Sequence, residues 1–74
     1  MIIYSKYTGV IIDISQFVEV FYGYVFGKQT IYLYANGQEI PLVEYVPTTE
    51  EANKYLEKIF EAITTKASTL IFGE

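Results

Sequence analysis

Cysteine, histidine, tryptophan and arginine are all missing from this chain of 74 residues, and every one of its 5 cations is a lysine. Without cysteine there is no disulfide and no thiolate metal site. Without histidine there is no imidazole ligand, and no Ser-His or Cys-His nucleophile pair within the chain. A metal could be held only by carboxylates, carbonyls and hydroxyls, which suit hard ions rather than zinc. No metal or other cofactor is expected. Prolines number 2 and glycines 5, too few for a linker or a low-complexity segment. No apolar run reaches the roughly 18 to 20 residues that a membrane helix needs. The stretch Met1 to Lys6 lacks the charged and apolar zones of a signal peptide, so the expected location is cytoplasmic.

What is present is apolar and aromatic. Hydrophobic residues make up 51% of the chain, with 8 Tyr and 5 Phe. A single domain spanning 1–74 is expected, because domains run upward from about 50 residues. A chain this short buries only roughly 60% of the surface that its unfolded form exposes. Small domains of this kind usually rely on a disulfide, a metal or a partner, and self-association is the reinforcement left open here. The net charge of −4 argues against binding nucleic acid through phosphate neutralisation. The lysines Lys6, Lys28, Lys54, Lys58 and Lys66 are also scattered.

The chain changes character once, at Val46-Pro47-Thr48. Before that point it is rich in Ile, Val, Tyr and Phe; after it, Glu, Lys and Ala recur with helical spacing. Asn36-Gly37 lies between two β-prone runs and supplies the positive φ angles of a two-residue type I′ turn. That turn sets Leu33 opposite Ile40 and Ile31 opposite Leu42 on one face. It sets Tyr34 opposite Glu39, Tyr32 opposite Pro41 and Thr30 opposite Val43 on the other. Pro41 cannot donate to a ladder and marks an edge strand. Gly27-Lys28 reads as the preceding turn, placing Tyr24 opposite Ile31, Tyr22 opposite Leu33 and Val20 opposite Ala35. Both turns select the same inner face. Upstream, residues 9–14 read as a strand. A two-residue loop at Ser15-Gln16 would turn Asp13 inward, whereas a longer loop would not. Ile2-Ile3-Tyr4 reads as a further short strand before a turn at Thr8-Gly9.

Thr48-Thr49-Glu50-Glu51 matches a capping box, with Thr48 accepting from the third helical amide. Ala52, Tyr55, Leu56, Ile59, Phe60 and Ile63 then form one apolar stripe. The helix is expected over about 49–67, ending between Thr65 and Ser68, with Leu70-Ile71-Phe72 as a last turn or a docked tail. The fold class is α+β: an antiparallel β-meander of four strands over about 2–46, or five with the short first one, and one C-terminal amphipathic helix packed on one face.

One helix covers one face. The other carries Phe17, Phe21, Val25, Tyr32, Tyr34, Val43 and Tyr45, with Glu19 and Thr30 among them. A solvated sheet face should alternate to polar residues, and exposed apolar patches usually mark an interface. The candidate interface residues are therefore Phe21, Val25, Tyr32, Tyr34, Val43 and Tyr45. The rival arrangement is a strongly curled sheet whose second face is covered by the first strand or by Leu70-Ile71-Phe72.

No catalytic constellation emerges. Glu19 and Glu44 fall on opposite faces in this register, unlike the paired carboxylates of acid–base catalysis. Gly27-Lys28-Gln29-Thr30 lacks the upstream glycine of a phosphate loop and lies in a hairpin. Sheet tyrosines can stack nucleic-acid bases, but the charge balance opposes that.

From about Ile31 to Ile63 the chain resembles small uncharacterised proteins of Gram-positive bacteria and their phages. The likeness rests on the glycine-turn hairpin, the strand ending Val43-Glu44-Tyr45, and Thr49-Glu50-Glu51-Ala52 opening an amphipathic helix. The resemblance implies a meander-plus-helix fold and a mobile-element origin. It implies no catalytic residues. The expected function is a non-enzymatic protein-interaction module, a homodimer through the aromatic face. The alternative is a small acidic phage-type inhibitor or adaptor, presenting Glu50, Glu51, Glu57 and Glu61 to a basic host protein, with Lys54 and Lys58 interrupting that surface.

Overall fold

A computed structural model of the chain describes residues 1–14, 19–35 and 37–73. The fold is α+β, with six strands in two three-stranded sheets and one helix among the described residues. The elements are β1 (Ile2–Ser5), β2 (Val10–Asp13), β3 (Glu19–Val25), β4 (Lys28–Ala35), β5 (Gln38–Val43), α1 (Thr49–Thr64) and β6 (Thr69–Phe72). The expected meander is β3-β4-β5. The strand at residues 9–14 does not extend it. β2 pairs antiparallel with β1 instead, and β1 pairs parallel with β6 on its other side. The tail Leu70-Ile71-Phe72 is thus docked, as a strand, and is not a last helical turn. The loop expected at Ser15-Gln16 lies outside the described residues.

The β4–β5 hairpin follows the expected register, with Ala35 opposite Gln38, Leu33 opposite Ile40 and Tyr32 opposite Pro41. Gly37 has φ 76, as the turn requires. The β3–β4 turn sits one residue earlier than expected, at Phe26-Gly27. Both residues have positive φ, 52 and 78, so this is also a type I′ turn. The pairing shifts by two residues, to Tyr22 opposite Ile31 and Val20 opposite Leu33. Because strand side chains alternate with period two, an even shift leaves every side chain on its expected face.

A bulge breaks the β4–β5 register. After Tyr32 opposite Pro41, Ile31 pairs with Val43, so β5 gains Leu42 as an extra residue. The consequence is a correction at Val43. It does not reach the outer face but turns into the core, leaving 4% of its surface exposed. Two hydroxyls of the β1–β2 hairpin meet the carbonyls at this irregularity. Ser5 Oγ, fully buried, donates to Leu42 O, and Thr8 Oγ1 donates to Pro41 O at 2.9 Å. These bonds join the two sheets where β2 meets β5.

Thr48 caps α1 as expected, its side chain accepting from the Glu51 amide at 3.2 Å. The far end closes with a Schellman arrangement. Lys66 takes φ 57, the Ala67 amide donates to Ala62 O at 2.9 Å, and the Lys66 amide donates to Ile63 O at 3.2 Å. The buried stripe is Ala52, Ile59 and Ala62, with Tyr55 and Leu56 half-buried. Phe60 and Ile63, assigned to the stripe by their hydrophobicity, are exposed. Small alanines face the sheets, which lets the helix approach closely.

A single core results. Ile31, Leu33, Leu42, Val43 and Val46 from the meander meet Ile3, Leu70 and Phe72 from the other sheet under Ala52, Ile59 and Ala62 of the helix. β1 and β6 therefore fill the inner side of the meander and do not cover its aromatic face.

Candidate interaction surface

On β4, Ile31 and Leu33 point into the core while Tyr32 and Tyr34 point away from it. On β3, Phe21 and Gly23 share that outer face by the same alternation. Phe21 opposes Tyr32, and their rings stack with centroids 5.6 Å apart and planes inclined by 26°. Gly23 opposes Thr30, yet a Cβ there would lie 3.7 Å from Tyr32 Cε1. The Tyr32 ring thus runs diagonally along the glycine. Phe21 is 40% exposed and Tyr34 44%. Tyr34 lies between Glu19 on β3 and Glu39 on β5, its partners on either side. This end of the face is acidic.

The other end belongs to Tyr45, which takes φ 58 and projects into solvent. Lys28 Nζ sits 5.1 Å from the centre of its ring and 3.0 Å from Glu44 Oε2. The hydrogen bond to Glu44 first, and Tyr45 second, hold the Lys28 ammonium above its ordinary pKa of 10.5. Four of the six expected interface residues therefore lie at the surface: Phe21, Tyr32, Tyr34 and Tyr45. Val43 is lost to the bulge. Val25 is also withdrawn, with 5% of its surface exposed. It lines a cleft of about 440 Å³ together with Tyr24 and Phe26 from one bend and Gly37, Gln38 and Glu39 from the next. Those bends lie at opposite ends of β4, so the meander coils strongly. Phe17 is outside the described residues.

Sequence reasoning missed two features. Tyr24 is 73% exposed and Phe26 95%. Tyr24 carries inner-face parity yet stands exposed near the end of β3, and Phe26 lies in the turn that follows. On the other sheet, Tyr4 opposes both Ile11 and Ile71, and all three are exposed. Ile2-Ile3-Tyr4-Ser5 carries no period-two signal in its sequence, since the alternation appears only in the burial, with Ser5 turned inward.

The carboxylates do not assemble. The Leu42 bulge turns Glu44 toward Lys28, on the same side of the sheet as Glu19 rather than the opposite one. Glu19 opposes Tyr34, however, six residues along β4 from Lys28, and Glu44 is already engaged by the Lys28 ammonium. Among the described residues, no three acidic side chains come together as a metal site, and no helix is long and apolar enough to cross a membrane. The chain matches no protein-family model, no curated protein and no solved structure.

Proposed function

We propose that the chain is a non-enzymatic interaction module that self-associates through the aromatic face of β3 and β4. The observation that carries this reading is the stacked Phe21–Tyr32 pair with Tyr34 beside it. Phe21 and Tyr34 stand exposed on that face, with Tyr32 half-buried beside them. Aromatic rings with polar handles are enriched in interface cores. A chain of this length gains from a partner what its small core does not supply. Light scattering of the purified protein at micromolar concentration tests the reading, with a dimer or larger species expected. Replacing Tyr32 and Tyr34 by Glu should yield a monomer with an unchanged helical circular dichroism signal. A wild-type monomer at high concentration would overturn the proposal.

One observation favours the acidic-inhibitor reading. Lys58 Nζ is drawn to Ile71 O at 2.7 Å and over the Phe72 ring. It thus interrupts the surface of Glu50, Glu51, Glu57 and Glu61 less than its place in the sequence implies. Salt-sensitive capture of a basic protein by the wild type, lost when Glu57 and Glu61 are changed to Gln, would support that alternative.

A further inference from the structure

The free edge of β3 and an apolar cleft on the inner side of the same strand complement each other. The first pair beside a two-residue hairpin turn, here Val25 with Lys28, shares both of its ladder bonds. By alternation, Gly23, Phe21 and Glu19 also bond to β4, and the N–H and C=O groups of Val20, Tyr22 and Tyr24 point away from it. Among the described residues these three make no backbone bond outside the ladder with β4. The other edges are blunted. β5 contains Pro41 and a bulge, and its carbonyls at Pro41 and Leu42 receive Thr8 and Ser5. Ile71 O on β6 receives Lys58. β2 is only 4 residues long and ends in an exposed Asp13. β3 runs for 7 residues without proline or lysine, and its one charge, Glu19, stands at its end, so most of its edge lacks the devices that keep strands from pairing.

A cleft of about 480 Å³ opens beside Val20, lined by Ile14, Leu33, Ile59, Ala62 and Ile63 among others. Tyr24 stands two residues from Tyr22 in one direction, Val20 two in the other, all three on one side of the strand. We propose that two copies of this chain pair antiparallel along β3 about a two-fold axis at Tyr22, each laying its Tyr24 ring into the cleft of the other. In that register Tyr24 of one copy opposes Val20 of the second, with Cβ atoms about 4.5–5.5 Å apart. On the outer face, Phe21 opposes Gly23 of the second copy, the residue along which that copy's Tyr32 ring lies. The two aromatic faces become one. The same register sets Glu19 opposite Val25 of the second copy, next to the strand carrying Lys28. The favoured occupant is a second copy rather than an arbitrary extended peptide, because ring and cleft are equally spaced from one axis. An aromatic anchor in an apolar pocket is the usual centre of binding energy.

This inference rests on the self-association reading but places the contact along the β3 edge, beside the aromatic face rather than across it. Amide hydrogen exchange followed by NMR, beside the mass from light scattering, tests it. A dimer should show slow exchange at Val20, Tyr22 and Tyr24 as well as at the residues bonded to β4. Tyr24→Ala removes an exposed ring. It should raise the dimer Kd by about tenfold or more and return those three amides to fast exchange, while Phe21 and Gly23 stay protected. A wild-type dimer with fast exchange at Val20, Tyr22 and Tyr24, or one unaffected by Tyr24→Ala, would overturn the edge pairing alone. A wild-type monomer would overturn both readings.

Discussion

The hydroxyl of Ser5, fully buried on β1, donates to the carbonyl of Leu42, the residue that β5 gains at its bulge. A bulge leaves backbone groups out of the ladder, and a buried carbonyl without a partner is costly. One side chain from the neighbouring sheet thus satisfies the irregularity that turns Val43 inward. Ser5→Ala should destabilise the protein by about 1–3 kcal/mol, the cost of orphaning a buried group. Thr8→Ala removes a less buried bond and should cost under about 1 kcal/mol. Urea unfolding followed by circular dichroism at fixed protein concentration separates the two. Equal losses would mean that Ser5 contributes no more than a surface hydroxyl.

The observed phase of α1 makes adjacent residues very unequal. Ile59 is buried in the core, so Ile59→Ala should cost about 2–5 kcal/mol. Phe60 is exposed, and Phe60→Ala should change stability by no more than about 0.5 kcal/mol. A large loss from Phe60→Ala in monomeric protein would restore the stripe expected from hydrophobicity alone.

Two of the three side chains at positive φ among the described residues occupy turn or helix-end positions that suit glycine or asparagine. Phe26 has φ 52 at the first place of a type I′ turn, and Lys66 has φ 57 just past the end of α1. Phe26→Asn should stabilise by about 1 kcal/mol, since left-handed φ is costly for ordinary residues and asparagine adopts it readily. Lys66→Gly should gain about 0.5–1 kcal/mol, reduced by the freedom that glycine adds to the unfolded chain. A higher Tm for both variants is the expected result, and a lower one would show that these side chains make contacts outweighing their strain.

Stability should fall in alkali. Burial first, and the neighbouring Tyr7 hydroxyl second, raise the Tyr55 pKa above its ordinary value of 10.0, and Glu44 does the same for Lys28 above 10.5. A raised folded-state pKa means that the folded protein binds more protons than the unfolded chain between the two values. Its contribution is intact below the ordinary pKa and is lost as pH rises through the folded one. Tm should therefore stay level with respect to these groups below about pH 10 and decline above it. Tyr55→Phe and Lys28→Met should each flatten part of that decline. An unchanged slope in both variants would assign the alkaline loss to other groups.

The residues that act locally were readable from the sequence. Thr48 and Glu51 announce the helix start, Gly37 fixes its hairpin, and Leu33 with Ile40 marks the inner face. Of the aromatic surface, Phe21, Tyr32 and Tyr34 follow from that phasing, whereas Tyr45 is exposed by its left-handed backbone beyond the end of β5. What escaped depends on neighbours distant in sequence. The Leu42 bulge has no local marker beyond Pro41, and its hydroxyl partners lie on β1 and in the turn after it. Phe26 in a left-handed turn runs against its own preference, so Gly27-Lys28 looked the better bend. Ala62 outcompetes Ile63 for the core because closeness of approach, not hydrophobicity, sets the helix phase. Leu70 and Phe72 alternate with Thr69 and Ile71 as a strand does, but their partner Ile3 lies at the opposite end of the sequence.

Ile2 pairs with Thr69, side by side and pointing the same way. The middle strand of its sheet thus waits for a companion separated from it by the meander and the helix. Joining such remote segments carries a large loop-closure entropy and slows the approach to the native state. During synthesis β1 emerges before the meander and β6 after it. The β3-β4-β5 hairpins can form before β6 has emerged, but this clasp between β1 and β6 shuts only afterwards. Until then the inner flank of Ile3 is open to other nascent chains, and the protein's yield in the cell will depend on how quickly that final closure occurs.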